Sequence, residues 1–204
     1  DHDFLKAVGR CLARHNCAIR FAVTLLHSHF AVSRDEALVE SMTADGALLT
    51  EVLRLQDAEN DADIVPRSWT FAEESATRSV EELNVLTWTR KAHVPQEPLA
   101  PADKRLIQEL AHLYRHWGVT GRFGMALAGA APRPGMIWTE DTDADSRHLL
   151  QTQRMIDEVK ARRPIMTMYV FNGDGSFIVT LGCCLQRTSG QGHTGRRHPQ
   201  GQKF

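Results

Sequence analysis

Two histidines, His27 and His29, stand one residue apart at the end of an apolar stretch, "FAVTLLHSHFAV" (21–32). Apolar residues alternate from Ile19 to Leu25, and this alternation predicts a half-buried β-strand. Strand side chains repeat every two residues, so both imidazoles are expected on the inward face. Neutral imidazole nitrogens that converge on one point can bind a transition metal. The alternative is that backbone groups or water satisfy the two rings.

Two imidazoles do not complete a metal site, so further ligands must come from elsewhere in the chain. We predict Glu40 on the following strand and His198 near the C-terminus, with Cys183, Cys184 and His193 as other candidates. Two histidines and a carboxylate with open positions suit iron or hydrolytic zinc, whereas an added thiolate favours zinc. Haem iron is a further alternative. The expected cofactor is therefore a divalent transition metal, zinc or iron.

The adjacent cysteines Cys183 and Cys184 point to opposite faces if they lie on a strand. A second hypothesis makes Cys183 or Cys184 a catalytic nucleophile, with His193 or His27 as its base. Cys184 and His193 are the catalytic residues that we predict. The alternative is that these cysteines are small apolar side chains that end a buried strand. Cys11 and Cys17 have no metal-ligand spacing and are assigned to packing.

Parts of the sequence occur twice. "ARHNCAIRFAVTL" (13–25) aligns with "YRHWGVTGRFGMAL" (114–127), and "VESMTADGALL" (39–49) aligns with "TEDTDADSRHLL" (139–150). The offsets are 122 − 20 = 102 and 140 − 40 = 100. Two blocks at nearly one offset predict an internal duplication. The alignment sets His27 against Gly129 and His29 against Ala131, so the second copy carries no imidazole at these positions.

Arg20 and Arg122 occupy equivalent positions of the two copies. One hypothesis pairs them with Glu40 and Glu140 in structural ion pairs. The other places both in a cleft between the repeats, where they bind a carboxylate or phosphate of a ligand or cofactor.

The periodicity predicts the same elements in both copies. Each opens with an amphipathic helix, around 4–12 and 106–117, and continues into two strands. "GALLTEVLRL" (46–55) and "DSRHLLQTQRMIDEVKARR" (145–163) predict second helices, and two more strands follow in each copy. In the second copy the turn "NGDG" (172–175) predicts a hairpin.

These elements predict an α+β fold in which two αββαββ halves form one pseudo-symmetric domain with a mainly antiparallel sheet. The first repeat covers 1–97 and the second 98–186. A Gly- and Arg-rich extension covers 187–204.

Composition narrows the function classes. With 42% hydrophobic and 24% charged residues the chain is typical of a globular protein. A net charge of −1 argues against nucleic acid as a partner, and no apolar run approaches the ~20 residues that span a bilayer. Four cysteines and no visible signal peptide predict a cytoplasmic protein. The chain has no Walker loop, G-x-G-x-x-G, G-x-S-x-G or H-E-x-x-H motif.

The leading hypothesis is an enzyme that acts on a small molecule, with a metal held by His27 and His29 in a cleft between the repeats. A non-catalytic ligand-binding or regulatory domain and the cysteine-nucleophile enzyme are the alternatives. A protein that binds a partner through its tail, 190–204, is a further one.

Overall fold

The computed structural model describes residues 1–71, 83–93, 97, 99–143, 145–161 and 164–183. The first half contains α1 (His2–Arg14), β1 (Phe21–Leu25), β2 (Glu36–Met42), β3 (Leu48–Arg54), α2 (Leu55–Asn60), β4 (Ile64–Phe71) and β5 (Leu83–Arg90). The second half contains α3 (Lys104–His116), β6 (Phe123–Leu127), β7 (Met136–Asp143), β8 (His148–Met155), α4 (Ile156–Ala161), β9 (Ile165–Phe171) and β10 (Phe177–Cys183). Both halves therefore have the same order of elements.

This order is αβββαββ and not the predicted αββαββ. The segments expected to form the second helices are mostly strands, β3 and β8, and each is followed by a helix of only six residues. Local periodicity does not separate a short apolar strand from a buried helix. Strand pairing makes these segments strands, because β3 and β8 hydrogen-bond to each other across the two halves.

The ten strands close into one barrel in the order β1-β6-β4-β5-β2-β3-β8-β7-β10-β9. The pairs β2/β5 and β7/β10 are parallel, and the other pairs are antiparallel. The predicted α+β architecture with a mainly antiparallel sheet is therefore wrong: the sheet is mixed and closes on itself. Closure leaves no edge strand unpaired.

The first strand of each half lies beside the other half. β1 pairs with β6 and β9, whereas β6 pairs with β1 and β4. The two halves therefore interlock in one sheet. Their origin by duplication stays a prediction.

The two long helices pack outside the barrel over β1, β4, β6 and β9. The core there joins apolar residues of α1 and α3 to Phe21, Val23 and Phe123. The alternating face of β1 thus packs against the helices, while Thr24 on the opposite face lines the barrel interior. The expectation that this alternation points into the site is wrong, because a barrel strand covered by helices has two buried faces.

The β9/β10 hairpin forms as the NGDG turn predicts, with Gly175 at a φ of +82°. The turn also touches helix α1: a Cβ at Gly9 would lie 2.0 Å from the carbonyl oxygen of Gly175. Only glycine permits this approach of helix to turn.

Across the described ranges, no helix is long and apolar enough to cross a bilayer. The charged segment 72–82 and the extension 187–204 lie outside the described residues.

Candidate metal centre in the barrel lumen

A cavity of about 600 Å³ lies in the barrel lumen. Every strand contributes at least one lining residue: Thr24, Leu38, Thr50, Ser68, Thr87, Ala126, Glu140, Leu149, Met168 and Leu181. Both histidines and Glu40 also line it. A concave, mostly apolar space with a few converging polar groups is the usual form of a small-molecule site.

His27 and His29 lie in the loop after β1 and not on the strand, which ends at Leu25. The amide of Leu26 donates to the carbonyl oxygen of Arg122 at 2.8 Å, and from there the chain turns across the lumen. Both imidazoles become buried by this turn, with side chains 11% and 8% exposed. The prediction of a histidine pair facing the interior thus holds for the position of the rings, but the loop and not strand parity places them there.

Three donor atoms converge at this point. The Nε2 atoms of His27 and His29 are 3.0 Å apart, and Oε2 of Glu140 lies 3.0 Å from the first and 3.4 Å from the second. Two ligand atoms at about 2.1 Å from one ion are about 3.0 Å apart at a right angle and about 3.4 Å apart at the tetrahedral angle. The observed separations are therefore those of ligands that share one metal ion.

Partners on the far side of each ring orient the imidazoles. Nδ1 of His27 lies 2.9 Å from the carbonyl oxygen of Leu25, which can only accept, so this nitrogen carries the proton. The lone pair of the neutral ring is then on Nε2, directed at the convergence point. Nδ1 of His29 lies 2.7 Å from the hydroxyl of Thr142, which permits the same tautomer. Such outer contacts are typical of metal-bound histidines.

Glu140 and Cys183 reach the site from neighbouring strands. They are directly paired in the parallel register of β7 and β10, so their side chains share a face. The ligand atoms of His27, His29, Glu140 and Cys183 all lie within 4.8 Å of one another. Sequence comparison had already matched Glu140 with Glu40, but only the strand order shows that Glu140 is the glutamate beside the histidines.

His27 and Glu140 shift each other's pKa. Burial by itself raises the pKa of the Glu140 carboxyl, but the charges and hydrogen bonds of His27 and His29 hold it well below its usual range. Burial lowers the pKa of His27, and Glu140 more than offsets this, so the net shift is upward from 6.5. Without a metal, the site therefore favours an imidazolium paired with a carboxylate.

A clamp from the second half holds the histidine loop. Arg147, at the turn before β8 with a φ of +56°, donates to both carboxylate oxygens of Glu36 at 2.8 and 2.6 Å. It also donates to the carbonyl oxygen of Ala31 at 2.6 Å. The contact with Arg147 lowers the pKa of Glu36 to about 2. Both side chains are half-buried and still in contact with solvent, so we expect the clamp to act on loop position more than on stability.

Glu40, the predicted carboxylate ligand, has a different partner. It is buried and forms an ion pair with Arg67 of β4. Burial raises the pKa of Glu40, and Arg67 and Thr87 offset this only in part. The structure does not bring Glu40 together with the two histidines, although the charge of Glu140 acts on it across the lumen.

Arg20 and Arg122 lie outside the lumen lining. Arg20 donates to both carboxylate oxygens of Asp103, at 2.6 and 2.8 Å, and Arg122 pairs with Asp1. These aspartates are the N-cap residues of α3 and α1, so each arginine ties the helix of the opposite half to the barrel. The structure shows ion pairs for both arginines, but not the predicted partners Glu40 and Glu140. It gives no sign of a shared cleft between them.

Cys184, His193 and His198 lie outside the described residues, so their predicted roles stay predictions. Cys183 is 1% exposed and does not line the lumen.

A second group with metal-ligand chemistry lies between the long helices. Cys11 and His15, one turn apart on α1, meet Glu109 of α3, with His15 Nε2 at 3.2 Å from its Oε1. Arg14 already contacts this carboxylate at 3.0 Å and Arg105 at 3.6 Å. Burial and then Glu109 raise the pKa of the Cys11 thiol to about 11. Two guanidinium groups and a thiol that holds its proton favour an ion-pair network over a metal site here.

Comparison with protein-family models, curated proteins and solved structures gives no match for this chain. Fold and site together define a closed ten-stranded barrel with candidate metal-ligand groups in its lumen. Its function has to be inferred from that site.

Proposed function

We propose that the protein is a metal-dependent enzyme that acts on a small molecule bound in the barrel lumen. The observation that carries this proposal is the convergence of His27 Nε2, His29 Nε2 and Glu140 Oε2 at 3.0 to 3.4 Å on the cavity wall. Three ligands of this kind leave an open position towards the lumen. Catalytic zinc and non-haem iron both use such sets.

The donor set favours a bare ion over haem iron. A porphyrin fills the four equatorial positions of its iron and leaves only axial sites for protein ligands. The donor atoms of His27, His29 and Glu140 instead converge on one point, and three such ligands would hold a single ion without a porphyrin. If the Cys183 thiolate also binds, zinc is favoured over iron.

Within this site the chain's own residues have separate tasks. Leu25 and Thr142 fix the two imidazole rings through their Nδ1 atoms. Glu140 supplies one negative charge, which reduces the charge of a divalent ion from two to one. The ion supplies Lewis-acid chemistry to a ligand group or a water molecule at the open position.

Metal content tests the proposal directly. Full-length protein purified without an affinity tag and supplemented with Zn²⁺ or Fe²⁺ should hold about one ion per chain, and His27→Ala should hold less than ~0.1. His15→Ala is the matched control, because it removes a histidine from the second group and should bind metal as the wild type does. His29→Gln checks the result with a smaller structural change.

Retention of metal by both lumen variants, or wild-type protein with less than ~0.1 ion per chain, would contradict the proposal.

A non-catalytic ligand-binding barrel is the second candidate, because residues from all ten strands line the lumen. Incubating the metal-loaded protein with a panel of activated carboxylic and phosphate esters separates hydrolysis from binding alone. Product formation that disappears in His27→Ala supports the enzyme. The cysteine-nucleophile hypothesis stays a prediction, because Cys184 and His193 lie outside the described residues.

A further inference from the structure

The charges that line the lumen are nearly all compensated within the protein. Glu36 is paired with Arg147, and Glu40 with Arg67. Glu140 is the carboxylate of the candidate metal centre. Cys183 is not among the residues that line the lumen, so the charge balance is drawn for a centre with three ligands: His27, His29 and Glu140.

A divalent ion at the centre changes this balance by one unit. Neutral His27 and His29 add no charge, so Glu140 leaves one positive charge uncompensated at the open position. A charge in a low-dielectric cavity is costly unless it is paired. The lumen with its ion is therefore matched to a ligand that brings one negative charge.

The other side chains that line the lumen indicate what the uncharged part of the ligand is like. Apolar side chains surround the cavity from five strands: Leu38, Val85, Leu86, Leu149, Met168 and Leu181. Phe30 and Val32 add apolar surface from the histidine loop. A cavity of about 600 Å³ holds more than a small inorganic anion.

We propose that the lumen binds an amphipathic monoanion, with its carboxylate at the open position of the metal and its apolar chain along this wall. The inference rests on the proposed metal centre and adds the class of substrate that the centre takes. A carboxylate is a hard oxygen donor that zinc and iron both accept. The apolar chain gains free energy on leaving water in proportion to the area buried.

Cobalt-loaded full-length protein tests both parts with four probes: octanoate, octanol, octylamine and acetate. Octanoate is expected to bind at least about tenfold more tightly than octanol, octylamine or acetate, measured by calorimetry. Octanoate and, at higher concentration, acetate should change the visible Co²⁺ spectrum, whereas octanol should not. Leu149→Gln should weaken octanoate binding and leave the acetate spectrum unchanged.

Ile178→Gln is the matched control, because Ile178 is an exposed apolar residue outside the lumen lining and its replacement should change nothing. Equal affinity for octanol and octanoate, or octanoate binding that is unchanged in metal-free protein, overturns the inference and leaves the metal centre in place. A wild-type protein that takes up no cobalt overturns both the inference and the proposed function.

Discussion

Glu40 and Glu140 occupy equivalent positions on β2 and β7, both are buried, and both line the lumen. Their partners differ. Arg67 pairs with Glu40, whereas His27 and His29 lie against Glu140. The same buried carboxylate is thus compensated in two ways within one barrel.

The space around each glutamate is arranged to suit its partner. Thr24 and Ala126 are equivalent positions on β1 and β6. Ala126 pairs with Ser68 and Thr24 pairs with Met168, so Ser68 and Met168 are equivalent. The residue before each is then equivalent too, which matches Thr167 with Arg67. Opposite Arg67 stands Gly129, the equivalent of His27, where a Cβ would lie 2.9 Å from the guanidinium. Beside Glu40 the strand residue is therefore large and the loop residue small, whereas beside Glu140 the strand residue is small and the loop residue large.

This difference decides which of the two glutamates lies in a site that can bind a metal. A guanidinium stays charged at all working pH values, so Arg67 offers no lone pair to a metal, whereas its positive charge already compensates Glu40. An imidazole can lose its proton and present a nitrogen donor. The site around Glu140 can therefore exchange protons for a metal ion, whereas Glu40 stays in an ion pair with Arg67.

The largest expected effect comes from breaking the ion pair between Glu40 and Arg67. Arg67→Ala leaves Glu40 buried without its cation and should lower the free energy of unfolding by about 3–5 kcal/mol. Adding Glu40→Gln should recover much of that loss, because the uncompensated charge is removed. Chemical denaturation of the single and double variants measures both. A single variant as stable as the wild type would show that the ion pair is not needed to compensate Glu40.

Moving the histidines to the equivalent loop positions beside Glu40 tests whether that site can be converted into a metal site. The triple variant Arg67→Thr, Gly129→His, Ala131→His should raise the metal content from about one to about two ions per chain, with the new site at least tenfold weaker. Weaker binding is expected because the loop 128–135 is two residues shorter than 26–35. Elemental analysis after dialysis gives the count.

The matched control for the transplant keeps Arg67. Gly129→His with Ala131→His alone should gain no ion, since the guanidinium occupies that space. A second ion in this control would mean that the exchange of small and large residues does not govern the site.

A smaller effect is expected in the pH dependence of stability. In the metal-free protein, the free energy of unfolding should depend on the pair of His27 and Glu140. Because the folded pKa of His27 is raised above 6.5, its stabilising contribution is complete below that pH and is lost as the pH rises through the raised value. The contribution of Glu140, whose pKa is lowered, is present above 4.5 and is lost as the pH falls through the lowered value. As the pH rises above 6.5 the free energy of unfolding should therefore fall, and His27→Gln should flatten the slope.

Metal-loaded protein should show the opposite trend over the same range, because protons compete with the ion for the imidazoles. Parallel slopes for loaded and metal-free protein would argue against a shared site.

The smallest expected effect concerns the loop clamp. Arg147→Gln removes the contacts with Glu36 and Ala31 and should weaken metal affinity by about tenfold, with little change in thermal stability. Competition with a coloured chelator measures the affinity. Arg133→Gln, on the loop of the other half, is the control and should bind metal as the wild type does. An affinity unchanged by loss of Arg147 would mean that the loop holds its position without the clamp.

The sequence predicted the parts of the site that depend on local pattern. The apolar run before His27 indicated a buried strand, and the comparison with Gly129 marked the histidines as residues that the fold does not require. The hairpin at 172–175 and the long helices α1 and α3 also follow from local spacing. Glu140 could be recognised only as the counterpart of Glu40, so the sequence led to the wrong neighbour for the histidines.

What the sequence by itself determined is the set of elements with clear periodicity and the position of the two histidines directly after an apolar strand. It wrongly extended that strand through both histidines, which lie in the loop after β1. Only the tertiary structure decided that β3 and β8 are strands, that the sheet closes, and that β7 and β10 bring Glu140 and Cys183 to the histidine loop. These outcomes depend on contacts between residues far apart in the sequence: 183 − 140 = 43 positions for Glu140 and Cys183, 151 − 48 = 103 for Leu48 and Gln151, and 113 for His27 and Glu140. Local preference carries no information about such pairing, because the free energy comes from hydrogen bonds and burial that exist only once both halves have met.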